Sequence, residues 1–177
     1  MPYYSDDELR QMRFKYVGKN VKISTKASIY NTELIEIGDN SRIDDFCVIS
    51  GKVKLGRNVH ISPLCLIAGG MEGVTIEDFT GLAYGVKVFT RSDDYSGETL
   101  SNPTVPEKFR KTFKASVVIK RHCHIGAGAV ILPGVTLEEG TSVGALTLVD
   151  KSTQPWGIYV GIPARRIGER KKDLLKL

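Results

Sequence analysis

The chain is short of the residues from which metal centres and disulfide frameworks are built, with three cysteines and three histidines in 177 residues. Three histidines are too few for a His-rich metal protein, and no metal is expected. No apolar run approaches the ~18 residues that a membrane-spanning helix needs, so no membrane association is expected. The start, Met-Pro-Tyr-Tyr-Ser-Asp-Asp-Glu, lacks a basic segment followed by an apolar block. No secretory signal is therefore expected, and the protein is placed in the cytoplasm. Charge is modest: 25 Lys and Arg against 20 Asp and Glu leave +5. That excess gives no reason to expect a nucleic-acid partner.

What the chain does have is a beat of six. From Ile119 it reads IKRHCH, IGAGAV, ILPGVT, LEEGTS, VGALTL, then Val149-Asp150-Lys151. Ile119, Ile125, Ile131, Leu137, Val143 and Val149 open successive hexads, and Cys123, Ala129, Val135, Thr141, Thr147 and Thr153 hold the fifth places. Helices repeat every 3.6 residues and strands every 2, so neither explains the period. A short fixed period marks a solenoid whose rungs bury their apolar edges only against one another. Three hexads make eighteen residues, which predicts a triangular prism of stacked parallel strands. Cys47, Cys65 and Cys123 all fall at the fifth, tight-corner position, so packing accounts for all three without a disulfide.

The chain divides accordingly into one domain. Residues 1–16 are a cap containing a short helix over 5–14, with Ser5 and Glu8 forming a capping box and Leu9 and Met12 sharing a face. Coils follow over 17–90, with a two-residue slip between Glu33 and Ile37 and an insertion of about three residues in Ala68–Thr75. The rhythm stops over 91–117 and resumes over 118–153. A polar excursion of that length between two well-formed parts of one prism must leave the solenoid and return, and such loops commonly carry sites. Tyr95, Phe109, Phe113, Pro103 and Pro106 give it material to pack against itself. A disordered surface loop is the plain alternative. The tail, 154–177, opens on Gln154-Pro155-Trp156-Gly157 and is dense in Arg and Lys, which suits either a solvated terminal helix or a seat for phosphates.

The segment IGAGAVILPGVTLEEGTSVGALTLVDK followed by VGIPARRI resembles the hexapeptide-repeat acyltransferases, among them galactoside, maltose and xenobiotic acetyltransferases and many lipopolysaccharide sugar acetyltransferases. The likeness covers the chain from about Val17 to Ile167; the repeat alone is shared with γ-type carbonic anhydrases. It implies an all-β, left-handed parallel β-helix, a homotrimer with sites between subunits, and acetyl-CoA as acyl donor; the tail's own residues add a short C-terminal helix to the expected fold. By the same likeness Ala127, Ala145, Lys151 and Arg165 contact the coenzyme. Gly126, Ala127, Gly144 and Ala145 leave the backbone bare enough for a ligand to approach. One arginine of the family pattern falls at Gly168, and Arg166 or Arg170 is its substitute.

The acceptor half departs from that pattern. The extruded-loop histidine that serves relatives as general base is replaced by Asp93, followed by Asp94, and the acceptor-contacting Asn one coil earlier is replaced by Pro63. With a pKa of about 3.9, an ordinary Asp is a poor base for a sugar hydroxyl, although two adjacent carboxylates raise one of the pair when they share a site. An amine is already a nucleophile when neutral. Base strength therefore favours N-acetylation of an amino sugar. The resemblance to lipopolysaccharide sugar acetyltransferases implies an acceptor used in O-antigen or cell-surface polysaccharide synthesis and expected on a nucleotide, with a lipid carrier left open. Sugar O-acetylation of the galactoside type is the alternative within the class, and a non-catalytic β-helix scaffold the alternative outside it. Carboxylates paired with Lys108, Arg110 or Lys111 would make Asp93 and Asp94 merely structural. His124, just ahead of Ile125-Gly126-Ala127, is a second candidate base. His60 and His124 share the sixth hexad place two turns apart, roughly 10 Å at strand spacing, too far for one metal.

Overall fold

Residues that open hexads turn inward and stack in columns, because each two- or three-residue strand has only one apolar edge to hide. In the computed structural model, which describes residues 2–177, Ile23, Ile43, Ile61, Leu82, Ile125 and Val143 form one such column, each at most 2% exposed. Burying a side chain of this size is worth roughly 1.5–3 kcal/mol, repeated on three columns along the prism.

Three parallel sheets make the three faces. The first runs from Tyr16–Val17 through Ile35–Ile37, Val53–Leu55, Val74–Ile76 and Val117–Ile119 to Thr136–Leu137. The second carries Lys22–Ile23, Arg42–Ile43, His60–Ile61, Gly81–Leu82, His124–Ile125 and Ser142–Val143, then the terminal hairpin. The third stacks Ser28–Ile29, Val48–Ser50, Leu66–Ala68, Lys87–Phe89, Val130–Ile131 and Leu148–Val149. The register Val17↔Ile37 absorbs the two-residue slip through a short 3-10 turn at Thr32–Leu34, and Leu55↔Ile76 absorbs the insertion at Gly69–Gly73. His60, Gly81 and His124 stand in register on the second face, as the hexad count expects. All three cysteines are buried and free.

Corners need a left-handed residue. Between the first and second faces that role falls to Asn20, Asn40, Asn58, Phe79, His122, Gly140 and Trp156, with φ between 54° and 70°. Asn tolerates this conformation through its short polar side chain. The three ring residues repay the cost by stacking: Phe79 on His122 at 5.4 Å, and His122 on Trp156 at 6.4 Å. Gly140 makes room for them, since a Cβ there would come within 2.4 Å of the Trp156 ring.

The N-terminal helix is Asp6–Gln11, with the Ser5–Glu8 capping box formed and Leu9 buried against the coil. The tail differs from expectation. Instead of a C-terminal helix, Gly157–Val160 extends the second face and turns back into an antiparallel Arg165–Glu169, leaving only a 3-10 turn at Asp173–Lys176. A strand edge is open at the top of the prism, and pairing with it satisfies backbone groups that a helix would leave to water.

The excursion leaves after Thr90 and rejoins the first face at Val117, where the Val117 amide donates to Gly73 O. Its foot is a two-stranded antiparallel ribbon, Arg91–Asp93 against Thr112–Lys114. The aromatics do not form the small core expected of them, for Tyr95, Phe109 and Phe113 are all more than half exposed. Hydrogen bonds to Asp94 and Asn102 organise the loop instead.

Candidate active site

The loop stands away from the third face and encloses a cleft of about 880 Å³, lined by Phe89, Arg91, Ser92, Asp93, Tyr95, Pro103, Glu107, Arg110, Thr112, Lys114 and Leu132. That volume suits a small organic ligand. Asp93 and Asp94 are neighbours in sequence but do different work. Asp93 ends the ribbon strand and lines the cleft, and its Oδ2 accepts from the Asn102 amide at 3.2 Å. Asp94 is spent inside the loop: Oδ1 accepts from the Ser96 amide at 2.9 Å, and Oδ2 from the Thr99 amide and hydroxyl at 3.1 and 2.9 Å. Those bonds from Ser96, then Thr99, hold its carboxyl down at about 2. Asp94 is therefore not the member of the pair whose carboxyl is raised; it is pulled the other way. Neither makes an ion pair with Lys108, Arg110 or Lys111 among the described residues.

A depressed pKa makes the Asp94 staple a neutral-pH device. Its contribution is complete above the ordinary carboxylate value of 3.8 and disappears as pH falls through about 2. We expect the Asp94 carboxyl carbon to titrate by NMR with a midpoint near 2, and Asp94→Asn to speed exchange of the Ser96 and Thr99 amides at neutral pH. A midpoint near the ordinary value would remove the staple.

A second constellation lies on another edge, where the second face meets the third. The corner column here is Phe46, Leu64, Gly85, Gly128 and Leu146, all in the left-handed region. Ala127 and Ala145 sit beside it, exposed and one rung apart, with the Leu146 amide donating to Ala127 O. Bulky residues at Phe46, Leu64 and Leu146 are more than half exposed, so the two glycines cut a notch in an apolar edge. The amides of Tyr84, Ala127 and Ala145 have no hydrogen-bond partner among the described residues. They are exposed donors, open to water or to a ligand. His124 lies on the second face just before this edge, exposed.

The cations divide between the edges. Arg165 opens the return strand of the terminal hairpin beside Ala164, whose amide donates to Leu148 O. Lys151 lies past the end of Leu148–Val149, exposed, across the third face from Ala145. Arg170 is engaged elsewhere: its guanidinium donates to His122 O and, at 3.3 Å, to Gly140 O, on the corner that carries the ring stack. Lys172 lies over the Trp156 ring at 5.7 Å. These contacts tie the tail to the prism, which is why a basic tail read as a phosphate seat delivers only part of its charge to solvent. Among the described residues no group of three or more His, Cys, Asp or Glu side chains is gathered to hold a metal.

Gly85 on the notch precedes the third-face strand Lys87–Phe89, and Asp93 on the loop follows it. The loop carboxylate and the small-residue corner therefore lie at opposite ends of that face, on different edges of one chain. The exposed amides, the notch and the Arg110 Nε without a partner among the described residues were not legible in the sequence; the fourth-place glycines Gly85 and Gly128, in a column whose other turns carry Phe46, Leu64 and Leu146, were the one written signal of a gap.

The model "Bacterial transferase hexapeptide (six repeats)" matches residues 35–69. The dTDP-4-amino-4,6-dideoxy-D-glucose acyltransferase of Escherichia coli is 42% identical over 180 residues, covering 100% of this chain and 93% of the relative. The N-acyltransferase AntD from Bacillus cereus, solved with dTDP and 3-hydroxybutyryl-CoA, superposes with a TM-score of 0.98 at 43% identity, covering 99% of this chain and 94% of AntD. A serine-to-alanine variant of AntD, solved with dTDP-4-amino-4,6-dideoxyglucose and coenzyme A, also has a TM-score of 0.98, at 43% identity over 99% of this chain and 94% of that one. With its three-faced coil, extruded loop and full-length likeness to these enzymes, the chain belongs to the hexapeptide-repeat acyltransferases, left-handed parallel β-helix enzymes that take their acyl group from coenzyme A.

Proposed function

We propose that the protein transfers an acetyl or other short acyl group from CoA to the amino group of a dTDP-linked 4-amino-4,6-dideoxy sugar, for cell-surface polysaccharide synthesis in the cytoplasm. The observation that carries this reading is the full-length likeness to relatives that hold or act on that nucleotide sugar. The chemistry of the loop agrees: it offers an aspartate where hydroxyl acylation would call for a stronger base.

The active species is a homotrimer, and each site joins the loop edge of one copy to the small-residue corner of the next. What supports this is the separation of Asp93 from Ala127 and Ala145 within a chain, which a neighbouring copy closes. Coenzyme A lies along the corner, its phosphates met by Lys151 and Arg165 at one end of the prism. The amides of Tyr84, Ala127 and Ala145 receive pantetheine carbonyls and the oxyanion. The neutral amine attacks the thioester carbonyl, the tetrahedral oxyanion collapses, the C–S bond breaks, and CoA leaves as thiolate. Asp93 orients the amine and takes the proton it sheds. His124 is the second acceptor for that proton, on the coenzyme side; Arg170, held by His122 and Gly140, is left out of the site.

Free-thiol release from acetyl-CoA tests this. We expect dTDP-4-amino-4,6-dideoxyglucose to be turned over with a kcat/KM at least about 10³-fold above that of a galactoside. Equal turnover of galactoside hydroxyls would transfer the assignment to O-acylation. Failure to bind acetyl-CoA calorimetrically would leave a scaffold.

A further inference from the structure

Most charges lining the loop cleft are already answered. Arg91 donates to Glu72 at 3.0 and 3.4 Å, a contact that holds the Glu72 carboxyl below its usual range. Lys114 lies 3.9 Å from Glu107, and Asp93 accepts from a backbone amide. Arg110 is the exception. It stands where the ribbon begins its return, and its Nε is buried with no hydrogen-bond partner among the described residues. Its guanidinium makes no ion pair and no other side-chain hydrogen bond, although its backbone amide donates to Glu107 O. The two other buried polar atoms left in that condition, Arg42 Nε and Asp44 Oδ1, face each other at 3.0 Å. Arg110 Nε has no such neighbour among the described residues.

Only the Nε is buried, the residue as a whole being half-buried, and a buried N–H without a partner calls for an explanation such as a bound ion or ligand. Arginine's planar fork matches phosphate oxygens in pairs, which gives it orientation as well as charge. The same cleft is lined by Tyr95, which is 92% exposed and has no aromatic partner among the described residues, a platform of the kind on which a base stacks. It is also lined by Asp93, the group assigned to the sugar amine. A nucleotide sugar brings a base, a diphosphate and a sugar for these three groups to meet.

We infer that Arg110 anchors the diphosphate bridge of the acceptor, and so makes the enzyme select a nucleotide-linked amino sugar over the free sugar. This rests on the reading above of the acceptor as a nucleotide sugar. Arg110 is a specificity residue: it holds the acceptor, and the acyl transfer itself does not pass through it.

Calorimetric titration of the full-length protein with dTDP and, separately, with coenzyme A tests the assignment in wild type, Arg110→Met and Arg110→Lys. The expected result is a loss of dTDP affinity of roughly ten- to hundredfold in Arg110→Met, a smaller loss in Arg110→Lys, and unchanged coenzyme A affinity in both. In turnover, KM for the dTDP-sugar should rise by a similar factor while kcat at saturation stays near wild type. Undiminished dTDP affinity in Arg110→Met overturns the inference and leaves the function intact. Loss of coenzyme A affinity in its place overturns it too, because Arg110 would then hold the donor's phosphates. A wild-type protein that binds coenzyme A but not dTDP removes the nucleotide-sugar reading itself, and this inference with it. Retained coenzyme A binding in each variant is the evidence that the coil is folded.

Discussion

Asp93→Asn is expected to reduce kcat for N-acylation by about 10²- to 10⁴-fold, the range over which a positioned proton acceptor acts. The substitution is nearly isosteric, and the amide oxygen of Asn can still accept from the Asn102 amide that now donates to Asp93 Oδ2. The ribbon Arg91–Asp93 with Thr112–Lys114 should therefore stand, and the cleft with it. What disappears is the negative charge proposed to orient the amine and accept its proton. Coenzyme A affinity should stay close to wild type, because Ala127 and Ala145 lie a face away. The matched control is Asp94→Asn, whose carboxylate is consumed by Ser96 and Thr99. It should loosen the loop and raise the acceptor KM more than it lowers kcat. Equal kcat losses in both variants would mean that loop order, and not the Asp93 charge, is what the reaction needs.

That two adjacent aspartates separate so cleanly shows where sequence stops being informative. The coil was legible because its cause is local and repeated: Ile119, Ile125 and Ile131 each meet the same environment one hexad on, so the pattern appears in the text itself. The slip at Glu33 and the insertion near Gly69 were legible as failures of that repeat. The loop has no repeat. Successive residues there point to opposite sides, and which of Asp93 and Asp94 faces the cleft is decided by hydrogen bonds to Asn102 and Thr99 that no spacing announces. The aromatics of the loop looked like core and are rim. The stack of Phe79, His122 and Trp156 joins three distant segments through a shared corner, and only the closed prism shows it. Arg170 looked like a phosphate ligand because charge is all a basic tail displays; its carbonyl partners at His122 and Gly140 are likewise products of folding. Small residues at Ala127 and Ala145 were readable as a bare seam, whereas the unpartnered amides that would make the seam useful were not.

The second large effect is recovery of activity from two inactive proteins. Asp93→Asn disables the loop edge, and Ala145→Tyr fills the small-residue corner, so each variant alone should show little or no turnover. Because these groups lie on different edges of a chain, a site that joins neighbours in a closed three-fold ring needs an intact loop from one copy and an intact corner from the next. Co-expression with two different tags, followed by selection for both, yields rings holding two copies of one variant and one of the other. Around either ring a single junction pairs an intact loop with an intact corner, so about one third of wild-type activity should return. Analytical ultracentrifugation of each variant checks that Ala145→Tyr leaves assembly unchanged, with Ala127→Tyr as substitute if it does not. A site completed within one chain predicts no recovery at all, since every copy carries one lesion. Selected rings without turnover would therefore sink the shared-site arrangement while leaving the acyltransferase family membership untouched.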